Sequence, residues 1–230
     1  MHIKLLLLVL CIAVASFSAC QKNNDAPVVS TSIDSLNIIN ASPQAINFYL
    51  NGTRLNNNSN LGVGGSSGYY NVPSGQQTYQ IKKVFDPTTS VVQTLFNLPV
   101  NLTPHHYYSL FIADDSSSHA FTTIDTLRAD TTVGTCYVRF VNASPAAGSV
   151  DFSIGGVKYS NQAFKSASGF RLVDTASLSP IILTQSGSST PVISGHYPLL
   201  PGLSYTFYTR GSPAGTGGSA LSNGVTVNFK

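Results

Sequence analysis

The chain has 230 residues, of which only 9% are charged, and its 12 basic and 9 acidic side chains give a formal net charge of +3. With no basic cluster beyond Lys82-Lys83, it lacks the concentrated cationic stripe of a nucleic-acid footprint, and that partner class is excluded. All nine acids are Asp, Trp is absent, and Gly, Ser, Thr, Asn, Val and Tyr are abundant, so the composition favours pleated sheets and turns over helices and predicts an all-β fold.

Residues 1–19 have the parts of a secretory leader: Lys4, an apolar run from Leu5 to about Phe17, and the small residues Ser18 and Ala19 before Cys20. The run falls short of the roughly 20 residues needed to span a bilayer, which predicts cleavage. Phe17-Ser18-Ala19-Cys20 resembles the lipobox of bacterial lipoproteins, with Phe17 where that family usually has Leu. The resemblance implies an acylated amino-terminal Cys20, held in a membrane by about 0.8 kcal/mol for each buried methylene group. Residues 20–32 are polar and aperiodic, as a flexible tether should be. Position two after the cysteine is not Asp, which looks like a signal to leave the inner membrane. Gln21-Lys22 followed by Asp25 loosely resembles the surface-export signal of Bacteroidetes lipoproteins. These likenesses imply a cell-envelope protein anchored in the outer membrane and displayed at the surface.

With Cys11 in the leader and Cys20 acylated, Cys136 is left alone and no intramolecular disulfide is expected. Removing the leader also takes one basic residue, Lys4, leaving eleven against nine acids. About 210 remaining residues suffice for one large domain or two of ordinary size.

An internal repeat favours two. Leu36-Asn37-Ile38-Ile39-Asn40-Ala41-Ser42-Pro43 matches Val138-Arg139-Phe140-Val141-Asn142-Ala143-Ser144-Pro145. Further on, Ile46-Asn47-Phe48 matches Val150-Asp151-Phe152, Ser67-Gly68-Tyr69 matches Ser168-Gly169-Phe170, and Leu102–Tyr107 matches Leu200–Tyr205. Alternating runs predict seven strands in the first copy, near 35–40, 46–51, 68–73, 77–84, 91–98, 106–113 and 120–125. The second copy gives 136–142, 149–154, 167–173, 179–185, 192–198, 204–210 and 224–229. The expected fold class is all-β, with two tandem immunoglobulin-like antiparallel β-sandwich domains at 33–127 and 136–230 and a linker at 128–135.

Val138–Pro145, then Val150-Asp151-Phe152, then the Gly155-Gly156 turn resemble the domain of unknown function 4397 family, which occurs in bacterial envelope and secreted proteins, often in tandem. The likeness covers most of 33–229 and is strongest in the second copy. The first copy departs from it, with Asn37 where the Arg stands and a shorter link after Pro43. The family implies a sandwich-like fold and an extracytoplasmic place, and no known catalytic residues.

Asn40–Pro43 and Asn142–Pro145 read as strand ends, since Asn and Ser bond nearby backbone and Pro forces the residue before it to be extended. Gly64-Gly65-Ser66-Ser67-Gly68 has the form of a nucleophile elbow, but no helix follows it and Ala167 stands opposite Ser66 in the repeat, so a loop is expected. His105 and His106 alternate faces and cannot readily share a metal without a distant partner such as His196, and Asp114-Asp115 lacks the calcium-loop pattern. Cys136 shares a strand face with Val138 and Phe140 and should be buried. In the pairs Tyr69-Tyr70 and Tyr107-Tyr108, one ring each is expected outside, where it could stack on sugars or proteins. Asp34-Ser35-Leu36, Asp125-Thr126-Leu127, Asp130-Thr131-Thr132 and Asp174-Thr175-Ala176 resemble the O-glycosylation tripeptide of exported Bacteroidetes proteins. About one is expected by chance from this composition. Ser35, Thr126, Thr131 and Thr175 are therefore candidate glycan sites.

No catalytic, cofactor-binding or metal-binding set emerges, and no cofactor is expected. The best-fitting reading is a non-catalytic protein tethered to the membrane through Cys20, with a glycan or an envelope protein as partner and an adhesion, binding or scaffold role. The alternatives are an extracytoplasmic hydrolase with an unrecognised site and a subunit of a larger envelope complex.

Overall fold

The computed structural model describes residues 32–56, 59–86, 91–127, 133–176 and 178–228. Cys20, Thr131, the predicted leader, the predicted tether up to residue 31 and residues 128–132 of the predicted linker lie outside them. In the first half the strands are β1 (Ile33–Asn40), β2 (Ile46–Leu50), β3 (Thr53–Arg54), β4 (Ser66–Pro73), β5 (Gly75–Asp86), β6 (Val91–Leu102), β7 (Tyr107–Ile112) and β8 (Ala120–Ile124). In the second they are β9 (Thr135–Asn142), β10 (Val150–Ile154), β11 (Val157–Gln162), β12 (Arg171–Asp174), β13 (Ser179–Gln185), β14 (Pro191–Tyr197), β15 (Ser204–Arg210) and β16 (Ser222–Asn228). The fold is all-β, two sandwiches in tandem. Each pairs two four-stranded sheets, β4-β1-β7-β8 with β3-β2-β5-β6 and β12-β9-β15-β16 with β11-β10-β13-β14.

Alternation along the strands fills the two cores. Leu36, Ile38, Phe48, Ile81 and Leu110 lie in the first, and Cys136, Val138, Phe140, Phe152 and Phe207 in the second. Phe140 and Phe152 stack across the second core at 4.6 Å, so a ring from each sheet ties the layers together. Cys136 is fully buried beside them.

Two strands, β3 and β11, lie outside the runs that alternation predicts. Both are the return arms of hairpins closed by two residues of positive φ, Asn51-Gly52 and Gly155-Gly156, which suits the twist of a two-residue turn. The sheets are also not purely antiparallel. β1 runs parallel to β7, and β9 to β15, each over six register pairs. Parallel neighbours need a long crossover, which the opposite sheet of each sandwich supplies.

The corner that sends β1 and β9 across to those sheets is the repeated Asn-Ala-Ser-Pro. Asn40 Nδ2 donates to the carbonyls of Gln44 (2.8 Å), Leu61 (3.0 Å) and Gly62 (3.0 Å), while its Oδ1 accepts from Ser42 N and Oγ. Asn142 does the same with Gly148 (2.8 Å) and Gln162 (2.9 Å), and its Oδ1 accepts from Ser144 N and Thr209 Oγ1. Both amides are fully buried, so each motif is a structural clasp joining three segments.

Strands β1, β7, β9 and β15 are buried on both faces. Ile39, Ala41, Phe111, Val141, Ala143 and Tyr208 form a third apolar cluster where the outer faces of the two sheets meet. The described residues from Ser32 to Asn228 are consequently one compact unit. Tyr208 crosses the joint, its hydroxyl donating to Gly64 O at 2.8 Å, and burial raises its pKa to about 12. Its ring lies against Gly224, where an added Cβ would come within 2.1 Å of Tyr208 Cζ, so that glycine is needed for close approach.

Candidate functional site

The densest polar constellation sits in the seam between the sandwiches. Arg139 points outward from β9 and is 2% exposed, and Asp125, just past β8, is 3% exposed. Arg139 Nη2 donates to Asp125 Oδ1 at 2.5 Å, Nη1 to Ile124 O at 3.1 Å and Nε to Thr206 Oγ1 at 2.8 Å. Phe170 lies 4.8 Å beneath the guanidinium carbon. The other carboxylate oxygen accepts from Ser109 Oγ and Tyr69 OH, each at 2.6 Å. Thr206 Oγ1 donates to Asn228 Oδ1, and Asn228 Nδ2 donates to Tyr69 OH, so the circuit closes through both halves. Burial, followed by the Asp125 charge, raises the Tyr69 pKa far above its ordinary value, which keeps the phenol a neutral donor.

This constellation is built for cohesion. Each of the three guanidinium nitrogens donates to a partner within the seam, a ring covers the guanidinium, and the side chain is almost wholly buried. Sequence reasoning missed the pair. Asp125 belongs to one of the glycosylation-like tripeptides, and its buried carboxylate also gives that acid a structural role.

The Gly64–Gly68 stretch also belongs to the seam. It leads into no helix: β4 begins at Ser66 itself, whose Oγ accepts from Thr226 Oγ1 at 3.0 Å. The expected exposed tyrosines are not found, since each of the eleven is at least partly buried. Tyr70 packs on Phe48 at 5.7 Å and Tyr69 on Tyr107 at 5.3 Å. Among the described residues no three His, Cys, Asp or Glu side chains gather as metal ligands. His106 Nδ1 lies within hydrogen-bonding distance of Thr103 O and Pro104 O, whereas His119 pairs with Asp114 and packs edge-on against Phe164.

Of the candidate glycan sites, Thr126 is exposed, and Ser35 is half-buried in the middle of a sheet between β4 and β7. Thr175 donates its hydroxyl to Gly134 O at 2.8 Å. Asp34, which precedes Ser35, is buried like Asp125.

Asp151, in the Val-Asp-Phe phrase, also has a structural role. Its carboxylate accepts from Asn161 N (2.8 Å) and Ser186 Oγ (2.7 Å) and pairs with Lys158 (2.8 Å), pinning the irregular pairing of β10 with β11. The Asn161 backbone bond, then Lys158 and Ser186, lower its pKa to about 2. Stability from this group is complete above the unfolded carboxylate value of about 4 and is lost as pH falls toward the folded value. Asp151→Asn is therefore expected to melt well below wild type at pH 6, with the gap narrowing between about pH 4 and 2. A constant gap in thermal melts across that range would refute the assignment.

Among the described residues, shallow clefts lie away from the seam. One, of about 160 Å³, lies between the edges of β6 and β8, lined by Leu98, Val100 and Phe121. Another, of about 230 Å³, lies over Asp151, Lys158 and Thr184. Both are smaller than the roughly 300 Å³ at which small-molecule sites begin, and neither is lined by a histidine.

Comparison with curated proteins finds no match. A protein-family model described as Domain of unknown function (DUF4397) matches residues 35–153, from β1 through the whole first sandwich to β9 and β10. The match thus contains both copies of Asn-Ala-Ser-Pro, together with Asp125 and Arg139. The chain belongs to the DUF4397 family.

Proposed function

We propose that this is a lipid-anchored protein of the cell envelope whose two sandwiches serve as one rigid, non-catalytic module for binding or scaffolding. The observation that carries this reading is the seam: the residues best equipped for chemistry at the centre of the molecule, Arg139, Asp125 and Tyr69, are buried against one another. Such a joint fixes the geometry of two sheets and suits a display or spacing role, with an envelope protein or glycan as partner and no nucleic acid. Cys20 is the acylation site, residues 1–19 the cleaved leader, residues 20–32 the tether, and residues 128–135 join the two domains. Outer-membrane placement is supported by the residues after Cys20, and among the described candidates Thr126 is the exposed glycan acceptor.

Expression of the full chain with an alkynyl fatty acid tests the anchor. Wild type should label and sediment with membranes, and Cys20→Ala should do neither. Intact mass should show leader loss, acyl chains and, where Thr126 is used, added hexose. Equal membrane recovery of the two forms would reject the anchor, and turnover across a panel of ester, peptide and glycoside substrates would reject the non-catalytic reading.

A further inference from the structure

The strand registers place the two halves in one-to-one correspondence. Ser109 pairs with Asn37 and Thr123, as Thr206 does with Arg139 and Thr226. Asn37 is thus the counterpart of Arg139, and Ser109 of Thr206. Asp125, whose N–H donates to Tyr107 O, corresponds to Asn228, which pairs with Ser204. Phe111 and Tyr208 are counterparts on the apolar side, and the seam is formed by equivalent faces of two related sandwiches. Charge breaks the equivalence: at the buried centre, the first half brings a carboxylate and no guanidinium, and the second a guanidinium and no carboxylate.

We infer that the seam is a heterotypic recognition surface: the outer face of β4-β1-β7-β8 selects the arginine-bearing face of a second half, and rejects another copy of itself without help from the chain joining them. Two first halves pressed together would bury Asp125 opposite the amide of Asn37, with no cation. Two second halves would bury Arg139 opposite Asn228, with no anion. An isolated ion in such a site costs far more than a neutral polar group. In the native pairing every polar atom of Asp125 and Arg139 has a partner across or beside the seam. The orphan lies on the other side, since Asn37 Nδ2 is buried without an acceptor.

The test uses the whole protein, with residues 128–132 replaced by a specific protease site and cleaved after folding. Native mass spectrometry and gel filtration are expected to show the two unlike fragments travelling together, one of each. After dilution from denaturant, the mixed fragments should rebuild that pair, and Asp125→Asn, which makes the first half resemble the second, should weaken reassociation by about tenfold or more. Fragments that part once cut, or that pair like with like, would overturn the inference. An unchanged dissociation constant for Asp125→Asn would overturn the role of charge.

Discussion

Arg139→Ala is expected to lower the free energy of unfolding by about 3–5 kcal/mol, the range found when one partner of a buried ion pair is removed. The loss does not reflect the strength of the pair, because bringing both ions out of water offsets most of their attraction. It arises because the Asp125 carboxylate stays buried with its charge uncompensated. Tyr69 and Ser109 still donate to it, which places the cost toward the lower end of that range. Removing the acid as well should therefore recover stability: Asp125→Ala with Arg139→Ala should be less damaging than the two single losses added, with a coupling of about 0.5–3 kcal/mol. Denaturant titration of the four proteins measures it, and simple additivity would mean that the two side chains do not interact in solution.

The second large effect is expected at Asn142. Alanine there removes two donor bonds and two accepted ones in a fully buried corner, and should cost about 2–4 kcal/mol because stranded carbonyls lose more than the bonds had contributed. Asn142→Asp is the sharper probe, since it keeps size and shape. It turns a double donor into an acceptor facing the carbonyls of Gly148 and Gln162, so at neutral pH it should melt below the alanine variant. If Asp were tolerated as well as Asn, the clasp could not be what closes the corner. Asn40, with three donor bonds, should behave alike.

The fold was legible where the signal was local. Period-two alternation located every predicted strand within a few residues, and the repeat announced two sandwiches. The β12 strand was placed four residues early, because Ala167 forms only an isolated bridge to Val141 while the chain is still in its loop. The hairpin arms β3 and β11 could have been inferred from Asn51-Gly52 and Gly155-Gly156, each the kind of pair that closes a two-residue turn. The seam was visible only in hindsight. Unbroken apolar pairs such as Ile38-Ile39 and Phe140-Val141 mark strands buried on both faces. The pairing of Asp125 with Arg139 could not be read at all, because neither residue's neighbours specify a partner that only the packing of two sheets brings near.

The parallel pairing of β1 has a mechanical consequence. β1 begins at Ile33 and is flanked on both sides, by β4 and by β7. A pull transmitted along the chain from its amino-terminal side therefore enters the fold through an interior strand. To escape, β1 must slide past both neighbours with its cross-strand bonds strained together, whereas an edge strand could unzip one bond at a time. Shear of this kind resists force far better than peeling, so a protein tugged from that end would hold its shape under load.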